Sequence, residues 1–257
     1  PALSGLGIAA YGSQEVLCLN AVTYMVSAGF LLFVRFADLP SKGLSVGAPT
    51  TLLEDLREGL HYSIVSQPTI LLLTVTAALY TFGTSALTAL FPVFARKMLD
   101  LGPVEVGYLW STLGVGLLFT SVGLLWVTDW TLKDRTRLIV ATSLLSGVAI
   151  CALVLTPDPY QAGFLMAVIG SGMGAFTPIA WGIIQDLAPR HMLGRVLGLY
   201  GTGAMIAAIV GISAFGWIAE RQGPATGLFG IGLVLLLTAL VSSRIMRARV
   251  THEGSHS

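Results

Sequence analysis

Residues 138–156 read LIVATSLLSGVAICALVLT, an apolar run that contains no Asp, Glu, Lys, Arg or His residue. About 20 such residues suffice for a helix to cross the hydrocarbon core of a bilayer. Because lipid cannot hydrogen-bond the peptide backbone, the run must be helical. Six further runs with uncharged interiors lie at 16–34, 69–95, 105–128, 159–184, 196–219 and 225–243. The sequence therefore predicts an all-α polytopic membrane protein with seven spans.

The composition supports the same class. The chain has 257 residues, of which 54% are hydrophobic and only 11% are charged. Soluble domains carry about 25% charged residues, and a soluble fold of this length could not bury so much apolar surface. A net charge of +1 provides no electrostatic basis for binding nucleic acid. The lipid bilayer is thus the first predicted partner, and nucleic acid is not one.

The basic residues predict the orientation. Three of the fourteen, Arg96, Lys97 and Arg221, lie on one side of the predicted spans. The other eleven lie on the opposite side: Arg35, Lys42, Arg57, Lys133, Arg135, Arg137, Arg190, Arg195, Arg244, Arg247 and Arg249. The positive-inside rule places the richer side, and with it the C-terminus, in the cytoplasm.

The longest connecting segment, 36–68, has the pattern of an amphipathic helix. Thr51 and Glu54 match a capping box, which would begin a helix. Apolar residues then recur on one face: Leu53, Leu56, Leu60 and Ile64. We expect a helix at about 51–66, lying at the membrane surface or against the bundle.

Chemical motifs are scarce. Cys18 and Cys151 lie in apolar runs without metal-ligand spacing, and the four histidines all lie outside the spans. The chain has no recognisable nucleophile–base pair and no phosphate-binding loop. We therefore predict no metal, no cofactor and no enzymatic activity.

Three stretches, taken together and in order, resemble a known family. They are LNAVTYMVSA at 19–28, EDLREGL at 54–60, and QDLAP at 185–189 followed by GRV at 194–196. They resemble helix six, the linker between halves, and the loop between helices ten and eleven of the major facilitator superfamily. The resemblance is to the branch of the enterobactin exporter and related drug-efflux proteins.

The resemblance implies an organisation and a function. Residues 1–12 would end helix five, 13–35 would be helix six, 36–68 the linker, 69–243 the C-terminal six-helix bundle, and 244–257 a cytoplasmic tail. The chain would lie in the bacterial inner membrane, partnered by the N-terminal half of the same transporter. It would export amphipathic small molecules, drug-like or siderophore-like, by alternating access as a secondary active transporter.

Charged and polar residues in two loops are candidates for a cytoplasmic gate. They are Asp129, Arg135 and Arg137, where the family's loop between helices eight and nine would fall, and Gln185, Asp186 and Arg195 in the loop between helices ten and eleven. Arg195 is expected to anchor the span at 196–219, and a gating contact with Asp186 is the alternative for this residue. The alternative is that these residues only anchor helix ends, since exposed ion pairs are worth about 0–1 kcal/mol. The loop at 129–137 also lacks the family's turn glycine.

Two sets of residues inside the spans are candidates for lining a substrate cavity. Tyr80, Thr84 and Thr88 recur at i, i+4 and i+8, and Thr177 and Trp181 are one turn apart, so each set shares a helix face. The alternative is helix–helix packing, in which Ser and Thr often take part.

Two rival functions come from other classes. A non-transporting membrane module could act as a partner subunit. A lipid-handling membrane enzyme would need acids, histidines or metal ligands within the spans, and the spans have none.

The orientation is testable by thiol labelling. Cysteines introduced one at a time at Ser41 and Ser243 should be shielded from a membrane-impermeant reagent added to intact cells, and one at Asp100 should be labelled. Labelling of the first two but not the third would reverse the orientation.

Overall fold

The structure is a computed structural model that describes residues 2–33, 52–126 and 130–253. Within these ranges it consists of helices joined by short turns, and it contains no strand. The helices are α1 (Ala2–Tyr11), α2 (Ser13–Leu32), α3 (Leu52–Val65), α4 (Pro68–Met98), α5 (Pro103–Leu125), α6 (Leu132–Leu155), α7 (Pro159–Leu187), α8 (Leu193–Gln222) and α9 (Pro224–Glu253). Seven of them, α2 and α4 to α9, are long and apolar enough to cross a membrane. The predicted all-α class is confirmed.

Two helix ends differ from the hydropathy boundaries by more than three residues. α6 begins at Leu132 rather than at residue 138, because Thr131 caps it: the Thr131 hydroxyl accepts from the Asp134 backbone N–H and donates to the Asp134 carboxylate at 2.6 Å. The charged residues before the apolar run therefore occupy the first turns of a helix. α9 continues to Glu253, beyond the apolar part that ends at Ser243.

Two turns consist of a single glycine. Gly12 separates α1 from α2 with φ of 96°, and Gly223 separates α8 from α9 with φ of 94°. Positive φ is readily adopted by glycine because it has no Cβ. At these two glycines the chain passes from one helix into the next, in a new direction, without a longer loop.

The six helices α4 to α9 associate mainly as three pairs. α4 packs along α8, α5 along α7, and α6 along α9. α6 also contacts α7, and α9 also contacts α4, so the α6/α9 pair joins the other two. α3 lies against α8 and α4, and α1 lies against α5 and α2.

Each pair crosses where a glycine brings two backbones together. A Cβ on Gly116 of α5 would collide with the backbone of Ala167 in α7, and one on Gly211 of α8 would collide with the backbone of Phe82 in α4. In the α6/α9 pair, a Cβ on Gly147 would meet the Gly232 carbonyl at 3.0 Å. Close approach of this kind is the usual basis of helix association in lipid.

Serine hydroxyls add polar contacts at two of the crossings. Ser171 of α7 donates to the Gly116 carbonyl of α5, and Ser85 of α4 donates to the Ala208 carbonyl of α8, both at 3.3 Å. The bundle is thus held by backbone contact and interhelical hydrogen bonds.

The crossing of α5 and α7 predicts unequal effects for two glycines on one helix. Gly116→Ala should push the helices apart and destabilise the protein by about 1–3 kcal/mol, as overpacking does. Gly114→Ala is the matched control, because nothing lies within 4 Å of its Cβ position. The measurement is the midpoint of thermal unfolding in detergent. Equal midpoints for the two variants would contradict the close crossing.

Candidate functional site

The polar face predicted on α4 divides between the interior and the surface of the bundle. Tyr80 is only 4% exposed and Thr84 is buried, whereas Thr88 is exposed. The Thr84 hydroxyl donates to the Tyr80 carbonyl at 3.0 Å, and the Thr88 hydroxyl donates to the Ser85 carbonyl at 2.6 Å. Of the three candidates on this face, only Thr88 is open to a ligand in this arrangement.

Tyr80 connects α4 to α7. Its ring stacks on the ring of Phe176, with the centroids 3.9 Å apart and the planes parallel within 1°. Its hydroxyl lies near that of Ser146 in α6, and neither hydroxyl has a hydrogen-bond partner in the described part of the chain. Phe176 and Ser146 were not identified from the sequence, because nothing local marks an aromatic or a serine as a neighbour of Tyr80.

The candidates on α7 lie beyond its crossing with α5. Gly174 packs against the backbone of Leu117, and from there toward the end of α7 the side chains of Thr177, Trp181 and Gln185 are exposed. Pro178 lies within this part and has no N–H to donate to the Gly174 carbonyl. α7 therefore presents uncharged polar and aromatic side chains along a stretch that its partner helix does not cover.

Two ion pairs lie at the end of the bundle that carries α3 and most of the described basic residues, here named the basic end. Arg135 in the first turns of α6 pairs with Asp186 in the last turn of α7, with Nη1 and Oδ2 2.5 Å apart. This pair joins two neighbouring helices where both meet solvent.

The second pair joins α8 to α3. Arg195 in the first turn of α8 pairs with Glu58 at 2.8 Å. Beside it, Gly59 is buried so close to α8 that a Cβ would lie 3.0 Å from the Arg195 carbonyl oxygen. The glycine thus allows backbone contact, and the ion pair fixes the register of the two helices.

The pairing differs from the contact suggested by the sequence. Asp186 pairs with Arg135 instead of Arg195, because α6 rather than α8 lies against the end of α7. Arg137 forms a looser pair with Asp134 on its own helix, at 3.6 Å. Asp129 and the Thr51 and Glu54 side chains of the predicted capping box lie outside the described residues.

The described residues contain no group of three or more His, Cys, Asp or Glu side chains placed to hold a metal ion. What the arrangement provides is an uncharged helical bundle with exposed polar and aromatic residues on α4 and α7, and with ion pairs at one end. These features define a class: a polytopic helical membrane protein.

Comparison with known proteins assigns the family. The profile of the transmembrane secretion effector family matches residues 1–256. The chain belongs to this family, which is part of the major facilitator superfamily.

Characterised relatives include two efflux proteins. The chain is 26% identical to the multidrug efflux pump Tap of Mycolicibacterium fortuitum, over 97% of the chain and 60% of the pump. It is 22% identical to macrolide efflux protein A of Streptococcus pyogenes, over 97% of the chain and 61% of that protein. An uncharacterised transporter of the same superfamily, YfiS of Bacillus subtilis, is 25% identical over 94% of the chain and 58% of its own length. The chain thus spans about three fifths of the curated relatives it matches.

The contact between α3 and α8 is testable by a double-mutant cycle. Glu58→Gln and Arg195→Gln, singly and together, should show a coupling of about 0.5–1 kcal/mol, a modest value because exposed pairs are screened by solvent. The measurement is the free energy of unfolding in mixed detergent. Asp134→Asn and Arg137→Gln form the control cycle, in which the longer contact should give a smaller coupling. Additive effects of Glu58→Gln and Arg195→Gln would show that the pair does not hold α3.

Proposed function

We propose that this chain is the linker and C-terminal bundle of a secondary active exporter of amphipathic small molecules, drug-like or siderophore-like. The main support for this proposal is the family match along essentially the whole chain, together with relatives named as multidrug and macrolide efflux proteins. Alternating access, in which two bundles rock about a site near the midplane, is the proposed mechanism.

The substrate would be bound by the exposed, uncharged residues Thr88, Thr177 and Trp181. Binding sites for small molecules are usually apolar walls with a few polar groups that fix orientation. Trp181 offers a large aromatic surface, 45% of it exposed, and the threonines offer hydroxyls. Tyr80 would support this wall from behind through its stack on Phe176, and Thr84 is buried one turn further along α4, where it donates to the Tyr80 carbonyl.

The basic end would face the cytoplasm, with the C-terminus on the same side, in a bacterial inner membrane. The positive-inside rule supports this orientation. Arg135 and Asp186 would then form part of the cytoplasmic gate, since an exposed ion pair at helix ends is weak enough to break and re-form as bundles rock. Gln185, exposed beside Asp186, would line the same opening.

The N-terminal half of the same transporter would be the principal partner. Glycines on α8 leave a face on which no atom lies within 4 Å of the Cβ positions: Gly194, Gly198 and Gly201. Small residues favour close packing of a further helix in lipid. The interiors of the seven spans carry no Asp, Glu, Lys, Arg or His residue, so a proton relay built from such residues would belong to that other half.

The substrate wall is testable in the full-length transporter. Trp181→Ala should weaken the apparent affinity for an aromatic drug by roughly three- to tenfold, the range expected for one lost aromatic contact. Phe164→Ala is the matched control, an exposed aromatic residue toward the other end of α7. The measurement is the concentration dependence of drug efflux from cells with equal transporter levels. If both variants export like the parent, Trp181 does not contact the substrate.

A further inference from the structure

Two buried hydroxyls in the middle of the bundle form no hydrogen bond within the described ranges: that of Tyr80 on α4 and that of Ser146 on α6. Tyr80 is 4% exposed, and Ser146 is fully buried. The two hydroxyls lie near each other, and each residue is close to the midpoint of a helix long enough to cross a membrane. A buried hydroxyl without a partner is unfavourable, so this position calls for one.

The other buried hydroxyls on this part of α6 already have partners on their own helix. Thr142 and Ser143 both donate to the Ile139 carbonyl, at 3.1 and 2.8 Å. Such bonds to a preceding carbonyl are the ordinary way in which a helical serine or threonine pairs its hydroxyl. Ser146 does not follow this pattern, and its hydroxyl lies against α7, where a Cβ on Gly172 would collide with it. Its hydroxyl therefore remains available for a group outside α6.

Packing holds both sides of this polar position in place. The ring of Tyr80 is stacked on Phe176, and its hydroxyl oxygen lies on the ring axis, so rotation of the ring does not move that oxygen. On the other side, Gly147 follows Ser146 directly and brings α6 into backbone contact with Gly232 of α9. A small molecule that bridges the two hydroxyls pairs both of them without disturbing any of these contacts.

We propose that a water molecule binds between the Tyr80 and Ser146 hydroxyls and bridges α4 to α6. Water is small, and it both donates and accepts, so buried waters usually bond about two to four polar groups that would otherwise be unpaired. A charged ligand would need a counter-charge, whereas the interiors of these spans are uncharged. The water would connect α6 to the stack of Tyr80 on Phe176, so that α4, α6 and α7 meet at one polar point. The inference depends on neither transport nor orientation.

The test is X-ray radiolysis of the chain in nanodiscs, followed by mass spectrometry. X-rays convert water into hydroxyl radicals that react close to where they form, so a bound water marks neighbouring side chains even in a protein interior. We expect oxygen to be added to Tyr80 or Phe176. The matched controls are Phe91 and Phe94, which are equally buried aromatic residues of α4 and should stay unmodified.

Two serine variants distinguish a bound water from solvent that enters by opening of the bundle. Ser146→Ala removes one partner of the water and should lower the rate of modification at Tyr80 and Phe176 by at least about threefold, as expected for one lost hydrogen bond. Ser143→Ala is the matched control, because Ser143 is also fully buried on α6 but bonds to its own helix. This control should leave the rate unchanged. Alanine favours a helix at both positions, and the thermal midpoint verifies that both variants are folded.

Three results would overturn the proposal. Absence of modification at both Tyr80 and Phe176 in the parent chain would show that the hydroxyls pair directly or stay unpaired. Modification that persists in Ser146→Ala, or that extends to Phe91 and Phe94, would show that the radicals come from solvent reaching the core. An equal loss in Ser143→Ala would show that the rate follows the packing of α6 and not a bridge to Ser146.

Discussion

Backbone contact at glycines is the constraint on which the rest of the bundle depends. Lipid surrounds a membrane helix with a solvent as apolar as its own side chains, so burial of apolar area contributes little to helix pairing. What remains is dispersion, which falls off steeply with separation and rewards the closest approach. Gly116, Gly211 and Gly147 provide that approach in the three pairs, since a Cβ at any of them would meet a neighbouring helix.

The strength of these crossings contrasts with the weakness of the contacts at the basic end. The pairs Arg135–Asp186 and Arg195–Glu58 are partly exposed, so solvent and salt reduce their contribution. Each pair joins different helices: one fixes α6 to α7, and the other fixes α3 to α8. The bundle therefore combines closely packed crossings with weaker, reversible contacts at its basic end.

The fold could be predicted largely from the sequence, because lipid permits a long apolar run only as a helix. α3 was also predicted, since its apolar residues repeat with the helical period and its bounds of Leu52–Val65 agree with 51–66. The start of α6 was not predicted from the sequence. A hydropathy boundary leaves out the charged residues 133–137, whereas the helix capped by Thr131 includes them. The ion-pair partners of Asp186 and Arg195 were also not predicted from the sequence, because they depend on which helices become neighbours. Tyr80, Thr84 and Thr88 share a face as predicted, but periodicity does not distinguish a face that packs from one that is open.

The division of that face bears on how this bundle would contribute to transport. Tyr80 stacks on Phe176 two residues before Pro178, so a buried contact lies directly beside the point where α7 lacks a backbone hydrogen bond. The exposed Thr177 lies between Phe176 and Pro178, and the exposed Trp181 lies three residues beyond Pro178. A shift of the part of α7 that follows Phe176 would move Thr177 and Trp181, which are proposed to bind substrate. The stack of Tyr80 on Phe176 would resist this shift. Because these residues are uncharged, their binding energy would come from apolar contact and hydrogen bonding, and the force that drives export would have to enter through charged groups outside these spans.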